Sequence, residues 1–169
     1  PIRVFLCYSS INKFVVKQLY ERLVKDGADV WFDKERLIPG QEWQIEIPRA
    51  VKNSDVVLVC LSSQSITKEG FVHKEFKFAL YASDGKREGT IFIIPVRLEN
   101  CDVPERINKF HWVDLHSEDG YGHLLRALQI RAESVGAAIR HKSKVVKSFT
   151  NHNIPDKSNI GNIDLSGIW

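Results

Sequence analysis

The chain has 169 residues, 43% of them hydrophobic and 27% charged, with a formal net charge of +3. That is enough for one globular domain with a real core, too apolar for a disordered segment, and too weakly basic to argue for a nucleic-acid partner. No stretch approaches the ~18 apolar residues of a membrane span, and no basic segment followed by an apolar run marks a targeting signal, so no membrane partner is expected and the expected location is cytoplasmic.

Short apolar runs alternate with amphipathic stretches along the chain, the pattern of a parallel sheet covered by helices. Residues 2–7 read as a first strand. Ser9 and Ser10 then open a helix whose stripe is expected along Ile11, Phe14, Val15, Gln18, Leu19, Arg22 and Leu23, with Asp26-Gly27 as its stop signal. Residues 29–32 form a short second strand, and a charged loop over 33–40 is closed by Pro39-Gly40. The next helical stretch carries Trp43, Ile47, Ala50 and Val51; Pro48 leaves two readings, a kinked helix or one that starts there. Residues 55–61 lack polar alternation and so read as a fully buried central strand.

A helix is expected over 70–83. Stepping about 100° per residue puts Phe71, Val72, Phe76, Phe78, Ala79 and Ala82 on one arc and His73, Lys74, Lys77 and Tyr81 on the other. Glu75 falls inside the apolar arc. A charge aimed at a core is costly unless something pairs with it or a cleft uses it. Residues 91–98 form a fourth strand in which Pro95 marks a bulge or an unpaired position. A fifth strand over 111–115 precedes a closing helix over 121–132, carrying Leu124, Leu125 and Leu128. Periodicity fails from Val135, so a domain over 1–134 is expected, with 135–169 as a linker or tail into a further domain. The start at Pro1 and the strand-like end over 163–169 point to a piece of a longer protein. The basic run Arg140, His141, Lys142, Lys144 and Lys147 reads as solvated linker, with an anionic partner as the alternative. Cys7, Cys60 and Cys101 form no CxxC pair; Cys7 and Cys60 sit in strand-like runs, as small core residues in a reducing compartment do.

Five strands with right-handed crossovers predict a flavodoxin-like α/β fold, a parallel sheet of order 2-1-3-4-5 with helices on both faces. Its ligand crevice lies outside the carboxyl ends of strands one and three. Tyr8, Ser9 and Ser10 stand at one end and Ser62 and Ser63 at the other. Hydroxyls beside helix N-termini suit a phosphate-bearing ligand. Neither strand end carries a Gly-rich phosphate loop, which argues against a redox dinucleotide domain and a P-loop. A receiver domain shares this topology but needs acidic groups at both strand ends, which are absent here. His111, His116 and His123 lack metal spacing, so no metal site is expected.

The segments IRVFLCYSS, WFDKERLIPGQEW, VVLVCLSSQS, EGFVHKEFKFAL and IFIIPVRLENCDVP followed by HWVDL resemble a Toll/interleukin-1 receptor/resistance (TIR) domain in its bacterial form, over about residues 2–132. The resemblance implies a mobile loop after the second strand that makes partner contacts. Here that loop is Lys34, Glu35, Arg36, Leu37, Ile38, Pro39 and Gly40, and the implied partner is another TIR domain. In enzymatic members the resemblance implies cleavage of NAD+ with release of nicotinamide, NAD+ being substrate rather than cofactor. The family's catalytic glutamate, on the helix after the third strand, matches Glu75. The aromatic four positions earlier, usually tryptophan, is Phe71 here. Tyr8, Ser9, Ser10, Asp33, Trp43, Ser62 and Phe71 are the implied substrate-binding residues. Four of them have a plainer alternative. Tyr8 reads equally as a core edge, Ser9 as a helix cap and Asp33 as a turn residue, while Trp43 is expected to pack against the sheet rather than stack on a base. Glu75 itself has the alternative of pairing with Arg3, Lys77 or a backbone donor.

The leading expectation is an NAD+ nucleosidase acting in signalling or defence after self-association. A non-catalytic scaffold that associates through the 33–40 loop is the first alternative. A nucleoside deoxyribosyltransferase-like enzyme, which also pairs such a sheet with a glutamate, is the second, and the loop argues against it.

Overall fold

The computed structural model describes residues 1–32, 36–67 and 74–139, and only the backbone at Thr67, Lys74 and Glu75. The apolar runs become five strands, β1 (Arg3–Cys7), β2 (Asp29–Trp31), β3 (Val56–Leu61), β4 (Ile93–Arg97) and β5 (Val113–Asp114). They pair in parallel in the expected order β2-β1-β3-β4-β5. Because strand side chains alternate between faces, Val4, Leu6, Leu58, Cys60 and Val96 meet one helical layer, α1 (Lys13–Lys25) and α5 (Gly120–Ser134). Phe5, Cys7, Val57, Val59 and Leu61 meet the other, α2 (Trp43–Asn53) and α4 (Lys74–Asp84). All six residues of β3 are buried, as its uninterrupted apolar run requires.

The buried row of α1 differs from the expected stripe. Val16, Leu19 and Leu23 are buried, whereas Phe14 is 75% exposed and Ile11 and Val15 also face outward. Two helical rows share Leu19 and Leu23. The expected one includes Gln18 and Arg22, whose heads would need partners inside. The observed one adds only Val16 and the half-buried Tyr20. Gly27, at φ 92°, ends the helix as predicted, and the Ala28 N–H reaches back to the Leu23 carbonyl at 3.0 Å.

The structure decides the readings at Pro48 and Pro95. α2 begins at Trp43 and runs through Pro48; the missing N–H deprives only the carbonyl of the exposed Gln44, which water can satisfy. At Pro95 the β3–β4 register is continuous, so there is no bulge. The Val57 N–H donates to Phe92, the Leu98 N–H to Leu61 and the Leu115 N–H to Arg97. Alternation therefore aims Pro95 towards β5, and β5 pairs only with Val96 and Arg97. Proline occupies the unpaired position.

Two features depart from strict strand–helix alternation. A short helix, α3 (Ser63–Thr67), follows β3 directly. The β4–β5 connection has turns and no helix, and Ile107, fully buried, covers the sheet there instead. Gly120 opens α5 against the end of β5, where an added Cβ would lie 1.9 Å from the Asp114 carbonyl oxygen. At the far end of α5, Gly136 (φ 68°) reverses the chain. Ala137 and Ile139 then pack on the core, and the Ile2 N–H donates to the Ala138 carbonyl at 2.9 Å. The packed body thus continues past the loss of periodicity at Val135. The basic run lies outside the described residues. Among the described residues, no helix is long and apolar enough to cross a membrane.

Candidate functional site

Parallel strands deliver their carboxyl ends to one edge, and the β1–β3 register, with Cys7 opposite Val59, brings Tyr8-Ser9-Ser10 near Ser62-Ser63. The two turns are joined by side chains. Ser62, 5% exposed, caps α3. Its Oγ accepts the Ser65 N–H at 3.2 Å, while Ser65 Oγ accepts the Ser62 N–H at 2.8 Å, a reciprocal capping arrangement. Asn12 Nδ2 donates to the same Ser62 Oγ at 2.8 Å. With both lone pairs engaged, the Ser62 hydroxyl meets a ligand only as a donor. Sequence reasoning missed Asn12; its only signal is an amide in the hydroxyl-rich turn after the first strand.

The expected phosphate position at α3 is partly filled by the protein itself. The Ser63 N–H donates to Glu99 Oε1 at 2.8 Å, so a carboxylate from the loop after β4 already meets this helix start. Tyr8 is half-buried and stacks on Phe32 at 5.3 Å, and Phe32 stacks on Tyr20 at 4.9 Å. Ser9 is buried, and its carbonyl rather than its side chain accepts the Asn12 N–H. Ser10 is exposed. Trp43, the first residue of α2, is 41% exposed, so it does not pack within the sheet core.

The described part of the expected interaction loop, residues 36–40, runs elsewhere. Arg36 pairs with Asp29, at the amino end of β2, and lies 5.9 Å from the Trp31 ring centroid. Leu37 is half-buried and Ile38 is 66% exposed. Pro39 and Gly40 (φ 95°) form a tight turn closed by the Gln41 N–H on the Ile38 carbonyl at 3.0 Å. Asp33, Lys34, Glu35 and Phe71 lie outside the described residues.

Glu75 lies near the start of the described part of α4. In a β–α–β crossover the helix runs back against the strands, so its first turn stands at their carboxyl edge. Phe76 and Ala79, 2% and 0% exposed, anchor that helix to the sheet on either side of the next turn. Of the two side chains expected as plainer partners for Glu75, Arg3 is engaged elsewhere. Arg3 belongs to Asp55 at the opposite edge: its backbone N–H meets Oδ2 at 2.8 Å, Nε the same oxygen at 3.3 Å, and a terminal nitrogen Oδ1 at 3.1 Å. Lys77 is exposed and lines a groove between α2 and α4, and residues two apart on a helix do not share a face. Burial by itself would raise the Asp55 carboxyl, but the Arg3 hydrogen bonds and the charges of Arg3 and Arg131 hold it below the usual value. A thiol nucleophile is not offered by Cys60, which burial pushes up to about 12.

A sequence model of the TIR domain matches residues 4–128. Among solved structures, the chain resembles the TIR domain of the Toll-related receptor TRR-2 from Hydra magnipapillata, with a TM-score of 0.57 and 21% identity over 74% of this chain and 96% of that one. It also resembles a prokaryotic SEFIR domain, with a TM-score of 0.56 and 21% identity over 76% of this chain and 92% of that one. Comparison with curated proteins finds no match. A family match over most of the sheet and its helices, joined to the sheet order and the strand-end turns described above, settles the affiliation: the chain belongs to the TIR domain family.

Proposed function

We propose that this TIR domain cleaves NAD+ at the nicotinamide–ribose bond, with Glu75 as the catalytic residue, and acts as a signalling or defence effector once copies associate. What supports the reading is the backbone position of Glu75 near the start of the described part of α4, the helix that returns from the carboxyl end of β3, together with the commitment of Arg3 to Asp55 at the amino edge. In the reaction the C1′–N bond breaks and its electron pair leaves on nicotinamide, which departs neutral and needs no general acid. Positive charge builds on the ribose. A carboxylate in a low-dielectric cleft stabilises that oxocarbenium-like transition state or attacks C1′. Water then adds at C1′ and releases a proton, giving ADP-ribose; attack by the adenine of the same molecule gives a cyclic product. The hydroxyl hydrogen of Ser62 is one donor for the sugar or phosphates, and Tyr8 and Trp43 offer ring faces. Asp33 and Phe71 complete the proposed binding set by resemblance alone.

The test is nicotinamide release from NAD+ by protein concentrated or tethered so that copies meet. Wild-type protein should release it, and Glu75→Gln should lower the rate by at least about 100-fold. Release that survives the substitution would sink the Glu75 assignment. An absence of release from the associated protein would favour the scaffold, a reading supported by the outward-facing Ile38 beside the Pro39-Gly40 turn.

A further inference from the structure

Helices α2 and α4 pack side by side on one face of the sheet, yet their outer sides leave a groove of about 740 Å3 between them. Pro48, Phe78, Tyr81 and Ala82 supply its apolar surface. Tyr81 is 84% exposed, more than any other large apolar side chain among the described residues. Ile45, 50% exposed, lies one turn before Pro48 along α2. Isolated exposed apolar residues are ordinary, but a concave strip of them is not. The described charges around it have one sign: Lys52 stands on the α2 wall, Lys77 on the α4 wall and Lys86 just past the α4 end, and among the described residues no carboxylate lines the groove.

We propose that this groove docks an acidic amphipathic helix of a partner protein. Two helices side by side form a trough in which a third can lie against both, about 8–10 Å from each axis. Lys77 to Gly85 spans roughly 12 Å, so two to three turns of the partner would fill it. Its apolar residues at i, i+3 or i+4, and i+7 would cover Pro48, Phe78, Tyr81 and Ala82. Asp or Glu on its flanks would meet lysines on both walls. A lipid surface fits less well, because it is flat and this site is concave with its charges facing across it. The lining comes from Pro48 onward in α2 and from Lys77 to Lys86, so the groove opens on the outer helical layer and not on the strand-end crevice. Docking therefore stands or falls separately from NAD+ cleavage.

The probe is a displayed library of ~16-residue helical peptides with leucine fixed along one face and Glu, Lys or Gln randomised on the flanks. It is selected on the full chain, with the triple variant Lys52→Glu, Lys77→Glu, Lys86→Glu as counter-target. Enrichment of acid-flanked peptides is expected. Fluorescence anisotropy should show the best of them binding at least about tenfold more weakly to Tyr81→Ala and to the triple variant, and more weakly as salt rises. Lys77→Ala carries the charge test if thermal unfolding shows that the triple variant is not folded. The proposal is overturned by selection without acid bias, by peptides that bind the variants as well as the parent, or by binding to phosphatidylserine vesicles with no peptide enriched.

Discussion

Asp55 shows how much one side chain organises at the amino edge of the sheet. It takes both the backbone N–H and the guanidinium of Arg3, while its carbonyl accepts from Arg131 Nε at 2.8 Å. One residue thereby ties β1, β3 and α5 together. Its side chain is 8% exposed while that of Arg3 is 56% exposed, so removing the aspartate leaves a cation that water can solvate. Asp55→Asn should therefore cost about 1–3 kcal/mol at neutral pH, read by urea denaturation, rather than the larger penalty of a stranded buried charge. The pH dependence follows from the sign of the shift. A carboxyl held below its unfolded value contributes stability that is complete above about pH 4 and is lost as pH falls through the folded value. Wild-type protein should lose stability on acidification below that point, and Asp55→Asn should flatten the slope. Asp114, also lowered by its hydrogen bonds to Arg97, should leave a residual slope. Glu75 presents the converse case. Periodicity alone marks it as a charge on an apolar arc, but only the fold shows that Arg3 is held at the opposite edge.

Among the elements, α1 separates local pattern from tertiary choice. Its length, its start after a serine-rich turn and its stop at Gly27 are legible in the sequence because each depends on neighbouring residues. Which row faces the sheet is not. Two overlapping rows are both apolar enough, and the sheet accepts the one without Gln18 and Arg22; Arg22 instead stacks at 3.7 Å over Tyr121 on the surface. This gives a paired expectation in urea denaturation. Leu19→Ala should destabilise by about 2–5 kcal/mol through its cavity, whereas Phe14→Ala should stay within about 0.5 kcal/mol of the parent. Equal losses at both positions would contradict the observed face. Pro48 and Pro95 teach the same lesson. Each signals a missing donor locally, but only the exposure of Gln44 and the shortness of β5 reveal why neither disrupts its element.

Across the whole molecule, the chain is still part of the packed body beyond the end of α5. Gly136 turns it, Ile2 receives it and Ile139 rests on the α1–α5 core. A chain ending at Ser134 should be less stable by about 1–3 kcal/mol than one ending at Ile139, from the lost burial and hydrogen bond, as thermal or urea unfolding of the two would show. Equal stability would place the edge of the folded unit at the earlier residue. The parallel sheet, its strand order and the central place of β3 were determined by the sequence itself, because apolar run length, alternation and right-handed crossovers act over short stretches of chain. The tertiary structure alone decided the buried row of α1, the Asn12–Ser62 link between the strand-end turns, the Glu99 carboxylate at the start of α3 and the lysine-edged groove between α2 and α4. Each of these joins residues distant in sequence, and their contacts exist only once the sheet has set the distance between them.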